Sequence, residues 1–417
     1  MEKPTETPEK AVSTDAETSG RRKFLSGGAA VGAAVGAAAL LASCGESDKE
    51  KQLSDEVKKL QGELEVVKQQ KPQAPAVVSA QPKLQWRLAA SWPKSLDTLF
   101  GGADLVARRV GEITDGKFQI RTFAAGEIVP ALQVLDAVQA GTVEMGHTAG
   151  YYYAGKDPAF AISTAIPFGL NCRQQNAWWY EGGGEQLMAP LFKDYNCVAL
   201  IAGNTGAQMG GWWRKEIKSL EDFKGVKFRI GGLIAGEVCK RLGAVPQSLG
   251  GPDIYPALEK GAIDAAEWVG PYDDEKLGFN KVAKFYYYPG WWEPGPALVS
   301  LVNEKKWNEL PKDYQAALRA ACGEANTWMP AKYDVVNVPA LKRLIAGGTQ
   351  LRAFPESVMN AAAKNAFEYY EELKGKSKHW ARIYPQWKQF RADSNSWFRV
   401  DENTDDNFRF HTKWGLT

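Results

Sequence analysis

The sequence predicts an α/β protein of two lobes with a cleft between them and a helical C-terminal part. The first observation is a strand, a helix and a strand in succession, at residues 84–88, about 96–113 and 118–123. That order predicts a parallel sheet covered by helices. The second observation is an internal similarity, and the third is a mostly helical pattern after residue 310.

The internal similarity places residues 136–146 on residues 256–266. Each segment has the pattern of a helix end, a glycine just after it, and an alternating strand that carries an acidic residue. Two similar lobes, each contributing one such unit to opposite walls of a cleft, would explain this. Chance similarity is the alternative in a chain of this length.

Further elements follow from the same patterns. Strands are predicted at 198–201 and 226–230, with a helix from about 233 to 242. Residues 203–213 are too rich in glycine for a helix, and the Gly231-Gly232 pair between a strand and a helix indicates a turn. Later in the chain, the Leu310-Pro311 pair predicts a helix start.

The composition argues against several classes of function. The chain has 417 residues with 51 Lys and Arg against 49 Asp and Glu, a formal net charge of +2. It therefore has no basic excess with which to bind nucleic acid. Three histidines argue against a zinc site built from histidine. The 15 Trp, 15 Tyr and 17 Phe suit a closed pocket as well as a core.

Residues 1–43 predict an export signal. Arg21-Arg22 precedes a weakly hydrophobic Ala/Gly/Val run, as in bacterial twin-arginine signals. Leu41-Ala42-Ser43-Cys44 fits a lipoprotein cleavage box, which would leave Cys44 as a lipidated N-terminus. The alternatives are a plain cleaved signal and an uncleaved anchor over about 24–43. Each version places the remaining chain on the extracytoplasmic side of a bacterial membrane, in the periplasm.

Residues 44–83 predict a tether rather than a domain. A Pro/Ala-rich spacer covers 71–83. Before it, five apolar residues alternate in steps of four and three, the spacing of a short coiled coil: Leu53, Val57, Leu60, Leu64 and Val67. A single solvated helix is the alternative.

Four cysteines remain beyond Cys44, an even number without C-x-x-C spacing: Cys172, Cys197, Cys239 and Cys322. One or two disulfides and four buried free thiols fit this pattern equally well.

Motifs for catalysis are absent from the sequence. It contains no G-x-S-x-G nucleophile elbow, no G-x-x-x-x-G-K-[ST] phosphate loop and no H-E-x-x-H zinc motif. Catalysis therefore has no obvious site in this sequence, which counts against an enzyme. The enzyme that stays open as an alternative is a periplasmic one, exported through the twin-arginine pathway, that acts on a small carboxylic acid.

Four polar residues occur in apolar, aromatic surroundings: Gln208, Arg229, Glu267 and Glu293. Arg229 lies in a strand-like run, and a buried guanidinium requires either a structural carboxylate or a ligand carboxylate held bidentately. Glu267 follows a predicted strand, where strand ends open onto a crevice. Taken singly, Glu267 and Glu293 are more often capping or surface acids.

At these residues the chain resembles the solute receptors of TRAP transporters, the DctP-type extracytoplasmic binding proteins of bacteria. The resemblance covers about 84–385, and its most specific element is Leu-Glu-Asp-Phe-Lys-Gly-Val-Lys-Phe-Arg at 220–229. The helix-Gly-strand unit at 257–266 is also similar. The resemblance implies a periplasmic-binding-protein-like fold with a ligand cleft between its lobes. It also implies that Arg229 salt-bridges the ligand carboxylate.

Two departures from many sialic-acid and dicarboxylate receptors indicate a subgroup. Glu267 and Gln208 stand where those receptors have an Asn and an Arg. In this respect the chain is similar to the receptors for 2-oxo acids and lactate, in which a cation bridges protein and ligand. That resemblance implies a cation site formed by the following groups: Gln208, Glu267, the carbonyl of Trp268, and Glu293.

The same resemblance suggests ligand contacts from a tyrosine-rich segment, Tyr151-Tyr152-Tyr153, whose hydroxyls face the ligand in the subgroup. The candidate ligand contacts in addition to Arg229 are Gln208, Tyr152, Tyr153, Trp268 and Asn204.

Charge gives a physical reason for the predicted cation. The arginine balances one ligand carboxylate, and Glu267 beside the same anion would repel it by several kcal/mol at low effective dielectric. A Na⁺ or Ca²⁺ ion removes the conflict, because hard cations bind carboxylate, amide and carbonyl oxygens together. The predicted ligand is a small 2-oxo or 2-hydroxy monocarboxylate. Pyruvate, lactate and longer 2-oxo acids stay open, as do sodium and calcium.

The predicted organisation places lobe I at 84–206 plus about 295–335, lobe II at 207–294 plus about 336–385, and a C-terminal tail at 386–417. The resemblance implies the membrane permease subunits of a TRAP transporter as partners. A lipid anchor would add the membrane itself. A homodimer through the C-terminal helices or the coiled tether is a further expectation.

Overall fold

The computed structural model describes residues 48–69 and 82–411. The predicted export signal, Cys44 and most of the predicted Pro/Ala spacer lie outside the described residues.

The first described segment is a single helix, α1 (Asp48–Gln69). Leu53 and Leu60 are exposed on it, at 66 % and 59 %. They lie seven residues apart and therefore on one side of the helix. The predicted helix is confirmed, and its pairing into a coiled coil stays a prediction.

The rest of the described chain contains two β-sheets. The first consists of β1 (Leu84–Ala90), β2 (Phe118–Phe123), β3 (Met145–Thr148), β4 (Cys197–Asn204) and β10 (Ala297–Asn303). Its order is β2-β1-β3-β10-β4. Strand β1 is parallel to β2 and β3, and β10 is antiparallel to both of its neighbours. The two strands predicted around the first helix pair directly, with Leu84 opposite Phe118.

The second sheet consists of β5 (Trp212–Trp213), β6 (Lys227–Arg229), β7 (Val245–Gln247), β8 (Ala265–Ala266), β9 (Phe285–Tyr288) and β11 (Gln350–Ala353). Its order is β11-β9-β5-β8-β6-β7. Strands β6 and β8 are parallel, with Arg229 opposite Ala266. The residues that follow these two strands therefore emerge at the same edge of the sheet.

The helices of this part are α2 (Leu99–Ile113), α3 (Val134–Gln139), α4 (Cys172–Tyr180), α5 (Gly184–Asp194), α6 (Leu233–Arg241), α7 (Gly251–Glu259), α8 (Pro271–Leu277), α9 (Glu304–Glu309), α10 (Lys312–Ala346), α11 (Glu356–Leu373), α12 (Lys378–Val400) and α13 (Glu402–His411). Helix α10 begins after Pro311, as predicted, and runs for 35 residues. It packs against α2 and β4 and also against α8. Two sheets with helices packed on them confirm the predicted α/β class.

The internal similarity is a structural repeat, with one copy in each sheet. Helix α3 leads into β3, and α7 leads into β8. Gly141 and Gly261 end the two helices with φ of 72° and 70°, a left-handed conformation that favours glycine. The acid of each copy also has the same role. Glu144 accepts from the backbone N–H of Arg87 at 2.8 Å, and Asp264 accepts from that of Lys227 at 2.9 Å.

The strands of the first sheet come from 84–204 and 297–303, and those of the second from 212–288 and 350–353. The lobe boundaries themselves stay predictions. The predicted tail does not begin at a break in the fold, because α12 continues through residue 386. Tyr384 and Trp387 of this helix are buried and stacked, with ring centroids 6.0 Å apart. Such aromatic burial favours a packed helix over a tail.

Most tryptophans belong to the core. Trp212, for example, stacks on Tyr286 with ring centroids 4.1 Å apart.

The four described cysteines are free thiols: Cys172, Cys197, Cys239 and Cys322. Within residues 48–69 and 82–411, none of the helices has both the length and the apolar character that crossing a bilayer requires.

Candidate ligand-binding site

A small cavity lies at the ends of β6 and β8, where segments of both sheets meet. Its free volume is only about 10 Å³, roughly the space of one water molecule and far below the about 300–1,000 Å³ typical of pockets for drug-sized ligands. The surrounding side chains therefore nearly close it. Its lining combines one charged group with several aromatic rings: Trp92, Leu99, Tyr151, Tyr152, Thr205, Gln208, Arg229, Trp268, Val269 and Leu298.

Arg229 is the last residue of β6, and its side chain is 2 % exposed. Its Nε donates to the carbonyl of Leu249 at 3.0 Å, and its Nη1 donates to the carbonyl of Glu267 at 2.8 Å. The guanidinium also lies over the ring of Trp268, 5.1 Å from the centroid. Arg229 is thus held at the cavity wall by two backbone oxygens and an aromatic face.

Glu267 immediately follows β8, next to Arg229 on the neighbouring parallel strand. Its Oε1 accepts from Arg229 Nη1 and from the backbone N–H of Gly231, both at 2.5 Å. Burial raises the pKa of Glu267, and the attraction of Arg229 opposes that shift. Of the two partners that the sequence allowed for Arg229, a structural carboxylate is therefore present, and it is Glu267.

Gln208 and Glu293 each have a buried oxygen with no donor among the described residues. Gln208 Nε2 donates to Thr205 Oγ1 at 3.1 Å, while Gln208 Oε1 has no partner. Glu293 Oε2 accepts from the hydroxyl of Tyr151 at 3.3 Å, while Glu293 Oε1 has no partner. An unsatisfied buried oxygen costs about 1–3 kcal/mol. The backbone N–H of Gln208 donates to the carbonyl of Glu293 at 3.1 Å and ties the two segments together.

Because Gly231 has no side chain, a small space stays open beside the carboxylates of Glu267 and Glu293. A Cβ added at this glycine would lie 3.3 Å from Glu267 Oε1, 3.4 Å from Glu293 Oε1 and 3.3 Å from the ring of Tyr151. One small volume is therefore bordered by an oxygen of each acid. Burial raises the pKa of Glu293 well above its ordinary range, and the neighbouring Glu267 raises it further. With both acids ionised, Arg229 balances only one of the two charges.

This oxygen-rich donor set fits a hard cation. Ca²⁺ and Na⁺ bind carboxylate and amide oxygens, and the orphaned oxygens of Gln208 and Glu293 lack donors that would compete for their lone pairs. Trp268, whose carbonyl is a predicted ligand, follows Glu267 directly. Among residues 82–411, no group of three or more His, Cys, Asp and Glu side chains is placed to hold a metal. Such a site here would thus depend on the amide and carbonyl oxygens as well.

Aromatic rings form the other wall of the cavity. Tyr152 packs against Trp92 with centroids 6.1 Å apart, and Trp92 meets Trp268 edge-on at 6.5 Å. Burial raises the pKa of Tyr152 to about 12, so its hydroxyl stays protonated near neutral pH. Tyr151 also lines the cavity and reaches Glu293. These surroundings shield the charged groups from water.

Two predicted ligand contacts lie elsewhere. Tyr153 points into the first lobe, where its hydroxyl bonds Thr148 Oγ1 at 2.8 Å and accepts from the N–H of Leu135 at 3.1 Å. Asn204 closes a loop, since its Nδ2 donates to the carbonyl of Gly295 and its Oδ1 accepts from the N–H of Gly206. Both polar groups already have partners, and neither residue lines the cavity.

Larger depressions exist on the surface, among them one of about 760 Å³ beside Asn196, Asn303 and the helix α9. It is open to solvent and lacks a buried charged group. The smaller cavity is the better candidate, because buried charges and unsatisfied oxygens converge only there among the described cavities.

Comparisons with known proteins identify the family of the chain. The family model DctP, for bacterial extracellular solute-binding proteins of family 7, matches residues 88–376. A monocarboxylate 2-oxoacid-binding periplasmic protein of Nostoc sp. is 56 % identical over 333 residues, which cover 80 % of this chain and 91 % of that protein.

Two solved structures are similar over the same region. A TRAP transporter solute-binding protein from Bordetella bronchiseptica has 54 % identity and a TM-score of 0.78, covering 79 % of this chain and 98 % of that one. It is a mixed-occupancy dimer with one active site that holds copurified calcium and picolinate and one that is apo. A TRAP periplasmic solute-binding protein from Pseudoalteromonas atlantica, with bound sodium and pyruvate, has 38 % identity and a TM-score of 0.75, covering 79 % and 100 %.

Proposed function

The chain belongs to family 7 of the bacterial extracellular solute-binding proteins, and we propose that it is the receptor of a TRAP transporter for small 2-oxo monocarboxylates. The similar Nostoc protein is named for 2-oxo acids, and the two similar structures hold pyruvate or picolinate beside a cation. Pyruvate and picolinate each place a second donor atom next to a carboxylate. Both can therefore chelate a cation in a five-membered ring.

The observation that carries the proposal is the pair of buried oxygens without donors, Gln208 Oε1 and Glu293 Oε1, next to the ion pair of Arg229 and Glu267. A ligand carboxylate alone would meet two glutamates and one arginine. A bridging Na⁺ or Ca²⁺ supplies the missing positive charge and the missing partner for both oxygens.

Each residue has a role in this proposal. Arg229 donates to the ligand carboxylate, with its fork oriented by the carbonyls of Leu249 and Glu267. Four groups hold the cation: Gln208, Glu267, the carbonyl of Trp268, and Glu293. The rings of Trp92 and Tyr152 exclude water and strengthen these electrostatic contacts. Lactate fits the same scheme, since its 2-hydroxyl can replace the 2-oxo oxygen.

The proposal assigns capture and release to this site and no chemical step. Calorimetry of the ligand-free chain with pyruvate, in sodium or calcium and then in choline with a chelator, tests it. Binding that requires the cation supports the proposal, and tight cation-independent binding contradicts the bridging ion. Ligand recovered after incubation should be chemically unchanged, whereas turnover would favour an enzyme.

The family supports an extracytoplasmic location and membrane permease subunits as partners. We propose export by the twin-arginine signal, lipidation at Cys44 and a tether that keeps the receptor near its membrane permease subunits. Metabolic labelling with a fatty acid tests the anchor, with Cys44→Ser as the control. We also propose a homodimer through the C-terminal helices, where Trp397, Val400 and Phe410 are exposed at 58 %, 70 % and 76 %.

A further inference from the structure

The cavity has a charged side and an apolar side. Arg229 lies at the end of β6 in the second sheet. On the other side, Leu298 belongs to β10 of the first sheet, Trp92 follows β1, and Leu99 begins α2. A ligand whose carboxylate is held by Arg229 therefore directs its carbon chain toward these three residues. Their positions determine how long that chain can be.

Trp92 differs from the two leucines because a hydrogen bond orients it. Its Nε1 donates to Nδ1 of His147 at 2.7 Å, whereas leucine side chains are held by packing alone. His147 lies in β3, is fully buried, and does not line the cavity. The hydrogen bond to Trp92 therefore links His147 to the cavity.

The second nitrogen of His147 fixes the tautomer. Nε2 lies 3.1 Å from the carbonyl oxygen of Ala202 in β4. A carbonyl only accepts, so Nε2 carries the hydrogen and Nδ1 is free to accept from the indole of Trp92. Burial lowers the pKa of His147 to about 4, against the effect of the Ala202 carbonyl, which keeps the ring neutral near pH 7. Both ring nitrogens are thus committed to orienting Trp92 against the first sheet.

We infer that His147, through its hydrogen bond to Trp92, sets the chain length of the 2-oxo acid that the receptor accepts. His147 is a positioning residue, because it holds the indole and does not itself reach the ligand. This inference rests on the proposed function and deepens it by naming what limits the substrate. An indole released from His147 can turn away and leave room for a longer alkyl group.

Two substitutions at His147 separate its two hydrogen bonds. His147→Asn retains an acceptor near the position of Nδ1 and loses the donor to Ala202. His147→Gln retains a donor near the position of Nε2 and loses the acceptor for Trp92. Trp92→Phe removes the same hydrogen bond from the other side and keeps an aromatic ring. It serves as the test if His147→Gln does not fold.

The readout is the ratio of the dissociation constants for 2-oxopentanoate and pyruvate, measured by calorimetry with saturating calcium. We expect His147→Gln and Trp92→Phe to reduce the preference for pyruvate by about tenfold, the range of discrimination that alkyl groups give. His147→Asn should keep the parent ratio, even though melting temperatures fall in all three variants. A general loss of stability would change both dissociation constants alike and leave the ratio unaltered.

An unchanged ratio in His147→Gln and Trp92→Phe would overturn this inference while leaving the proposed function intact. So would an equal loss of preference in His147→Asn. A parent chain that binds no 2-oxo acid would instead overturn the proposed function, and the inference with it.

Discussion

The guanidinium of Arg229 lies 2.5 Å from the carboxylate of Glu267, and both side chains are almost completely shielded from solvent. The adjacent parallel strands β6 and β8 bring them together, because Glu267 follows the residue that pairs with Arg229. In the ligand-free site each is the counter-ion of the other. Removing either leaves a buried charge uncompensated, which costs about 3–5 kcal/mol.

Substitution of Arg229 should abolish tight ligand binding. We expect Arg229→Ala to lose about 3 kcal/mol or more of affinity for pyruvate. Arg229→Lys should also weaken binding, since an ammonium cannot reproduce the planar fork. Calorimetry measures both. Lys227→Ala, at an exposed position of the same strand, is the matched control and should bind normally. Near-normal affinity in Arg229→Ala would show that the carboxylate binds elsewhere.

Substitution of either Glu267 or Glu293 should weaken binding of the cation and, as a consequence, binding of the ligand. Cation and ligand strengthen each other's binding reciprocally if one bridges the other. We therefore expect Glu267→Gln and Glu293→Gln to lower calcium affinity and to reduce its effect on pyruvate binding. Glu259→Gln, at an exposed position of α7, should leave both unchanged. The decisive titration uses ligand-free chain in choline with a chelator, where unchanged pyruvate affinity would rule out the bridging ion.

A single methyl group at Gly231 should obstruct the cation site. The backbone there is not left-handed, so alanine is tolerated locally, but its Cβ would press on both glutamates at 3.3 and 3.4 Å. We expect Gly231→Ala to weaken calcium binding by about tenfold or more, as small displacements around metal ligands do. Gly323→Ala, in α10 with nothing within 4 Å of the added Cβ, is the control. It should bind calcium normally and gain about 0.5–1 kcal/mol of stability.

The stability of the ligand-free chain should fall as the pH rises. Burial raises the pKa of Glu293 well above its ordinary range, so the folded chain binds this proton more tightly than the unfolded chain does. Burial also raises the pKa of Asp273 to about 6 and that of Asp274 to about 7, with the same sign. Stability is therefore lost from the ordinary carboxyl range upward through these raised pKa values.

We expect a higher melting temperature at about pH 6.5 than at about pH 8, an interval in which the lowered pKa of His147, which has the opposite effect on stability at lower pH, contributes little. Glu293→Gln should flatten this dependence. Saturating calcium and pyruvate should reduce this pH dependence, because the cation competes with the proton for the carboxylate of Glu293. A parent melting temperature that rises over this interval would contradict a raised pKa for these acids.

The exposed apolar residues of the C-terminal helices should mediate the dimer. We expect residues 82–417 to sediment as a dimer at tens of micromolar, and Val400→Asp to sediment as a monomer, because a charge in an apolar interface lacks a partner. Val335→Asp is the control, since Val335 of α10 is equally exposed at 72 %. A parent chain that stays monomeric would exclude this interface.

Much of the fold and the charged part of the site follow from sequence. The strand ends that carry Arg229 and Glu267 were predictable from apolar alternation, and pairing of parallel strands brings such ends together. The repeat was also readable, because its glycines and acids occupy matching positions. The alternation of apolar residues marks the strand ends, and the matching glycines and acids mark the repeat. Both patterns can be seen in the sequence alone.

Side-chain direction in the connecting segments was not predictable. Gly150–Tyr153 forms a 3-10 turn that directs Tyr151 and Tyr152 to the cavity and Tyr153 into the lobe. Sequence pattern cannot give that rotation. Nor does it show that the amide of Asn204, at the end of β4, bonds to Gly295 and Gly206. Trp92 was missed, although its place just after the carboxyl end of β1 was a usable signal.

Helix α10 has a mechanical consequence. Its 35 residues span about 52 Å at 1.5 Å per residue. Glu324 and Met329 contact α2 and β4, whereas Tyr333 and Arg343 contact α8. A change of angle between the two sheets must therefore swing or flex this rod. Pro330 and Pro339 lie within it and lack the N–H that would complete the ladder of helical hydrogen bonds. The rod is consequently most compliant around these two prolines, in the part of the helix that packs against α8.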